Sequence, residues 1–171
     1  ASTRILRPFM SSSLRIGGLP SSLDLARRAD IQPGTQGVDL CCCTGAGMRF
    51  LVRMHGVAGM TGVDATQTVV DRGRARCKDE GVDDRVTFHL ADVCASGLPA
   101  GLADFVWGED AWCYVEDKPK LIAEAARLVK PGGVIAFTDW VEGPAGLSSA
   151  EAERYLRFMK FPTLASIADY R

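Results

Sequence analysis

Val38-Asp39-Leu40-Cys41-Cys42-Cys43-Thr44-Gly45-Ala46-Gly47 joins a short apolar strand, expected at 37–41, to a segment of helical composition at 46–55. A strand-to-helix turn built from small residues lets a ligand approach the backbone. The helix behind it aims its free N–H groups at that ligand. Asp39 stands at the strand end, where a carboxylate can hold an ammonium group or order the loop. An ordinary tight turn needs no more than Gly45 and Gly47, so the stretch takes its meaning from its surroundings.

Upstream, residues 11–22 are rich in Ser, Gly and Pro and read as loop. A short helix at 23–28, capped by Ser21 or Ser22, follows, and the turn Gln32-Pro33-Gly34-Thr35 ends that region. Downstream, strand and helix alternate. Strands are expected at 59–64, 85–90, 103–107 and 134–138. Helices are expected at 67–80, behind Thr66, and at 118–129, behind Asp117. Gly81 stops the first and Pro131-Gly132-Gly133 breaks the second. Ser148 and Glu151 have capping-box spacing and open a last helix through Met159, and 164–171 reads as a helix just beginning. This alternation predicts an α/β fold with a doubly wound, mainly parallel sheet flanked by helices. A loop and helical segment at 1–30 would precede a core at 31–171.

In such sheets ligands bind beyond the carboxyl ends of the strands, near the topological switch point. Asp64 follows the second strand and is placed to accept hydrogen bonds from ribose hydroxyls; the plainer reading is a cap for the next helix. Asp92, in Ala91-Asp92-Val93, can accept from an exocyclic adenine amine while the next backbone N–H donates to a ring nitrogen; the plainer reading is a solvated loop carboxylate. Trp107-Gly108-Glu109-Asp110-Ala111-Trp112-Cys113-Tyr114 crowds two carboxylates and three aromatic rings after the fourth strand. Trp107 continues that strand and belongs to the core, whereas Trp112 and Tyr114 are expected to line a pocket. Asp139-Trp140 adds a carboxylate and an indole after the fifth strand.

The bulk figures bound the function. Of 171 residues, 20 are basic and 21 acidic, for a net charge of −1, and 47% are hydrophobic. That excludes a disordered chain and argues against a dedicated nucleic-acid binder, because no basic excess exists to neutralise phosphates. No apolar run approaches the ~18 residues of a membrane span, and no signal peptide is expected. Six cysteines are too sparse for a disulfide scaffold and read as free thiols of a reducing cytoplasm. With two histidines and no CxxC pair, no metal site is expected.

Together these residues resemble a class I S-adenosylmethionine-dependent methyltransferase of the small-molecule type, with its Rossmann-like sheet. The likeness is carried by residues 38–45, Gly62-Val63-Asp64, Ala91-Asp92-Val93 and Leu128-Val129-Lys130-Pro131-Gly132-Gly133-Val134, and covers about 32–140. Ile16-Gly17-Gly18 is similar to a loop of several members. Asp110-Ala111-Trp112-Cys113-Tyr114, Asp117-Lys118 and Phe137-Thr138-Asp139-Trp140 are similar to segments of the glycine, sarcosine and dimethylglycine N-methyltransferases and of the phosphoethanolamine N-methyltransferases.

The resemblance implies that Asp39, Cys41, Cys43, Gly45, Asp64, Ala65, Asp92, Val93 and Glu109 hold S-adenosylmethionine, with S-adenosylhomocysteine as product. It implies a small-molecule acceptor, with an amine nitrogen favoured. Trp112, Tyr114 and Trp140 would bind a cationic acceptor by cation–π contact. Asp110, Tyr114 or Asp139 would accept its proton. No nucleic-acid or membrane partner is expected.

Two departures stand out. Cys41 and Cys43 replace glycines of the family's Gly-x-Gly-x-Gly turn, where a Cβ and a thiol crowd the methionine portion of the cofactor. Tyr114 stands where many phosphoethanolamine enzymes carry His. The family usually has seven strands; with five visible, the C-terminal hairpin is expected to be missing and the fifth-strand edge to be covered by a second copy. A nicotinamide-dependent oxidoreductase, the first rival, would want an intact GxGxxG. The other rivals are a degenerate domain acting as a scaffold and a sensor using thiols of lowered pKa at the helix N-terminus.

Overall fold

A computed structural model describes residues 18–170 of the chain. The readings for 11–17, including the loop likeness at Ile16-Gly17, lie outside the described residues.

Among the described residues, five strands form one sheet: β1 Gln36–Leu40, β2 Gly59–Asp64, β3 Val86–Leu90, β4 Ala103–Glu109 and β5 Val129–Thr138. Their order is β3-β2-β1-β4-β5 and every pairing is parallel. Among the described residues five helices accompany them: α1 Gly18–Arg28, α2 Ala46–Met54, α3 Gln67–Glu80, α4 Lys118–Leu128 and α5 Ser149–Met159. Two further strands, β6 Val141–Glu142 and β7 Ala165–Ser166, pair parallel to each other outside the sheet.

The period-2 alternation of the strands splits the core in two. Phe105 and Trp107 of β4 join α1, α2 and α3 residues such as Ala26, Leu51 and Val70 on one face. Val106, with Val38 and Leu40 of β1, joins Leu121, Ala125 and Leu128 of α4 on the other. Both faces of the parallel sheet are thus covered, as its hydrophobic strands require. Sequence order reverses between β1 and β4, so this is the switch point.

Several element ends follow local chemistry. Asp117 accepts the Lys120 N–H at 3.0 Å, and Pro119 sits in the first turn of α4. Gly81 caps α3 at φ 66°, and the Ser148–Glu151 capping box is present. Thr66 precedes α3 without a side-chain cap; Asp64 accepts its N–H at 2.9 Å instead. No described helix is long and apolar enough to cross a membrane.

Three expectations are corrected. Residues 18–22 are helical, not loop, because Leu19, Leu23 and Leu25 pack on the core and Pro20 lies in the first turn, where its missing N–H is harmless. Ser22 therefore does not cap a helix; it is buried and donates its hydroxyl to Glu109 at 2.7 Å. β5 begins at Val129, not at 134: Val129 pairs with Ala103 and Val134 with Phe105, so 130–133 bulge out between them. Residues 164–170 do not start an α-helix. Ala165–Ser166 is a strand and Ile167–Tyr170 a 3-10 turn, closed where Asp169 accepts the Ser166 N–H at 2.6 Å and its hydroxyl at 2.8 Å.

Candidate functional site

The parallel sheet brings all its carboxyl ends to one edge. Asp39, Asp64, Asp92, Glu109, Asp110 and Asp139 stand at or just past these ends. An edge so rich in carboxylates suits a ligand that carries positive charge and hydroxyl donors.

The loop after β1 has an alternating backbone. Cys41 (φ 61°), Cys43 (φ 50°) and Gly45 (φ 73°) are all left-handed. Glycine takes this conformation freely, which gives the Gly-x-Gly-x-Gly spacing its physical reason; for a cysteine it costs about 1–2 kcal/mol. Gly45 is held to glycine by space as well, since a Cβ would lie 2.7 Å from the Phe88 ring and 2.8 Å from Met48. Cys42 turns inward, is buried, and its N–H donates to the Val63 carbonyl at 3.1 Å. The Cys43 N–H donates to Asp64 Oδ2 at 3.0 Å, while Asp64 Oδ1 takes the Thr66 N–H. One carboxylate thus ties the loops after β1 and β2, so Asp64 opens the turn to α3 and also braces the loop at the end of β1.

Cys43 is exposed, so its side chain has little packing to lose. Cys43→Gly is expected to stabilise the fold by about 0.5–1 kcal/mol, the relieved strain less the larger chain entropy of glycine. A rise in the urea midpoint at unchanged slope checks this; a lower midpoint refutes the strain.

Burial first, then the neighbouring Asp64 and Asp39 charges, push the Cys41 thiol well above its usual range. Partial desolvation by the surrounding loop also raises Cys43, exposed as its side chain is, against a lowering hydrogen bond from the Thr44 backbone. A sensor thiol needs the opposite shift.

Asp92 is exposed and accepts the Cys94 N–H at 2.8 Å, with Val93 buried beside it and Ala65 exposed across the edge. Glu109 accepts from the Ser22 hydroxyl through Oε1 and from the Trp107 indole at 2.9 Å through Oε2. This link from α1 to the end of β4 has no local sequence signal, because Ser22 reads as a helix cap.

The far side of the edge carries the acceptor candidates. Asp110 (φ 53°) accepts the Thr138 hydroxyl at 2.8 Å. Asp139 accepts the Cys113 N–H at 2.9 Å through Oδ1 and the Tyr170 hydroxyl through Oδ2. Tyr170, which no sequence motif marks, also leans on Phe137 with ring centres 5.1 Å apart. Burial and Asp139 push the Cys113 thiol up to about 12. Tyr114 is exposed and meets Phe161 edge-on at 5.0 Å; Trp140 is partly exposed.

Trp112 departs from its expected place. The 3-10 turn Trp112–Tyr114 throws Trp112 and Cys113 inward and Tyr114 outward. The Trp112 indole is fully buried, stacks on Phe137 at 4.3 Å, and donates to the Leu40 carbonyl at 3.1 Å. Gly108 makes the room, as a Cβ there would lie 2.2 Å from the Trp112 Nε1. Trp107 is fully buried, as expected of a core residue.

Residues 38–137 match a family model described as a methyltransferase domain. The chain belongs to this methyltransferase family. The matched span runs from β1 to the end of β5 and includes the left-handed loop, Asp64, Asp92, Glu109 and Asp110. The oxidoreductase reading is set aside with it.

The domain is similar to the 27-O-demethylrifamycin SV methyltransferase of Amycolatopsis mediterranei, with 33% identity over 76% of this chain and 48% of that protein. It is similar to the crystal structure of a candidate sarcosine dimethylglycine methyltransferase from Galdieria sulphuraria, with 27% identity, a TM-score of 0.81, and coverage of 90% of this chain and 58% of that one. It shares its fold with phosphoethanolamine N-methyltransferase 2 of Haemonchus contortus, solved with S-adenosyl-L-methionine, at 24% identity and a TM-score of 0.83 over 94% of this chain and 36% of that one. The chain therefore spans about half, or less, of the curated relatives it matches.

Proposed function

We propose that this domain binds S-adenosylmethionine and transfers its methyl group to a small-molecule acceptor, with an amine nitrogen favoured. The observation that carries the reading is the left-handed Cys41-Cys43-Gly45 loop at the end of β1, beside the switch point, on the sheet edge where the strands end in carboxylates. Family membership and the amine-directed names of two relatives support it.

The residues fit the cofactor's chemistry. Asp39, Cys41, Cys43 and Gly45 would surround its methionine portion, the carboxylate answering the ammonium. Asp64 with Ala65 would take the ribose hydroxyls, and Asp92 with Val93 the adenine. Glu109, itself held by Ser22 and Trp107, would close the site from the β4 side. When bound, the cofactor supplies an electrophilic methyl on a sulfonium; the chain's part is to align the acceptor and manage its proton.

Asp110 is favoured over Asp139 as proton acceptor. Both Asp139 carboxylate oxygens already accept hydrogen bonds, from the Cys113 N–H and the Tyr170 hydroxyl, whereas among the described residues the Asp110 carboxylate accepts only the Thr138 hydroxyl, through Oδ1, which leaves its other oxygen to meet an acceptor. Tyr114 and Trp140 would offer rings to a cationic acceptor, Tyr114 standing near Asp110 in the chain.

Free thiols support a cytoplasmic setting. The edge position of β5 supports pairing with a second copy, which sedimentation at two concentrations would detect.

Calorimetric titration with S-adenosylhomocysteine tests the cofactor, and turnover on a panel of amines and alcohols tests the acceptor. Asp110→Asn is expected to lose about 100-fold or more in kcat while keeping cofactor affinity. No binding of S-adenosylhomocysteine at millimolar concentration would overturn the reading.

A further inference from the structure

Arg49 lies in the middle of α2, with only 1% of its surface exposed. A cation in such a place is costly to desolvate unless it is paired and hydrogen-bonded. Its Nε donates to Glu80 Oε1 on α3 at 3.1 Å, and its Nη1 donates to the Thr44 carbonyl at 2.5 Å. Glu80 also receives Arg53 Nη1 at 2.9 Å. From α3, Arg76 donates to the Thr44 hydroxyl at 3.2 Å. Two guanidinium groups therefore grip both oxygens of Thr44.

Thr44 sits between Cys43 and Gly45, both left-handed, and two residues beyond buried Cys42. Cysteine disfavours the conformation that Cys41 and Cys43 adopt, so the loop needs something outside itself to hold it. A leucine or methionine would fill the volume of Arg49 without the desolvation cost, but could not pin a carbonyl. We propose that Arg49, anchored by Glu80, is a positioning residue: it holds the 41–45 loop in its left-handed course and so sets cofactor affinity without touching the cofactor. The proposal rests on the cofactor reading above.

The mechanism is a population effect. Released from the clamp, the loop relaxes toward conformations that cysteine prefers, and only the remaining fraction can bind. If a tenth of the molecules stay competent, apparent affinity falls about tenfold.

The test uses the full chain, with S-adenosylhomocysteine titrated by calorimetry and thermal unfolding followed without ligand. Arg49→Met is expected to weaken binding about tenfold, or about 1.4 kcal/mol. Leu51→Ala, fully buried on the same helix, controls for general weakening. It is expected to lower Tm and leave affinity within about twofold. Adding Cys43→Gly to Arg49→Met is expected to restore most of the lost affinity, because glycine takes the left-handed angle unaided.

Arg49→Met binding as tightly as the parent overturns the proposal, and so does a loss that Cys43→Gly fails to restore. Should Arg49→Met not fold, Arg49→Lys carries the test, since one ammonium cannot reproduce the fork to both Glu80 and Thr44. An Arg49→Lys protein of parental affinity overturns the proposal equally. If the parent itself does not bind, the cofactor reading fails and this proposal falls with it.

Discussion

Asp64→Ala is expected to weaken S-adenosylhomocysteine binding at least about 100-fold, or roughly 2.7 kcal/mol. Two losses combine. Hydrogen bonds from ligand hydroxyls to a charged acceptor are each worth about 1.5–3 kcal/mol, and a ribose offers two donors to this carboxylate. The same change leaves the Cys43 and Thr66 N–H groups without their acceptor, so the loops after β1 and β2 lose the group that joins them. Asp64→Asn keeps the shape and one carbonyl acceptor, and a smaller loss of about tenfold is expected. Calorimetry on both variants, with Tm followed alongside, separates ligand contact from loop support. An Asp64→Ala protein that binds as tightly as the parent would sink the ribose assignment.

Trp112→Ala is expected to destabilise the fold by about 3–5 kcal/mol through the cavity alone. The indole is fully buried between sheet and α4, stacked on Phe137, in the cluster that holds Val38, Leu40 and Leu121. Its N–H satisfies the Leu40 carbonyl, and orphaning that acceptor adds about 1–3 kcal/mol. The sum approaches the whole stability of many domains, about 5–15 kcal/mol, so largely unfolded protein is expected at 37 °C. Trp112→Phe keeps the stack and loses the hydrogen bond, for an intermediate effect. Urea unfolding of the three proteins reads this directly. A Trp112→Ala protein of parental stability would return Trp112 to the acceptor pocket, where its place after the fourth strand suggests it belongs.

Much of the site is legible in the order of residues along the chain. The βα alternation locates all five strands of the sheet, and parallel order follows from the helices α2, α3 and α4 that join β1 to β2, β2 to β3 and β4 to β5, while residues 91–102 connect β3 to β4 without a helix. A parallel sheet then delivers the ends of neighbouring strands to one edge, so Asp39, Asp64, Asp92, Glu109 and Asp139 converge without any knowledge of side-chain packing. The triplet Cys41-Cys42-Cys43 is visible in the sequence as an anomaly. Its meaning is not, because a φ angle is not written in residue type. The structure shows cysteine bearing the backbone angles that glycine normally supplies.

Local pattern, carried by periods of two and 3.6 residues and by caps, dictates which segments are strand or helix and which carboxylates stand at strand ends. Those signals act within a few positions along the chain. The packed structure alone chooses the partners: Ser22 with Glu109, 87 positions apart, and Arg49 with Glu80 and Tyr170 with Asp139, each 31 apart. It also chooses the direction of Trp112, which depends on the space left by Gly108 and on Phe137 from the next strand. Such choices follow from which surfaces meet when the elements close on one another, and no short stretch of sequence contains both surfaces.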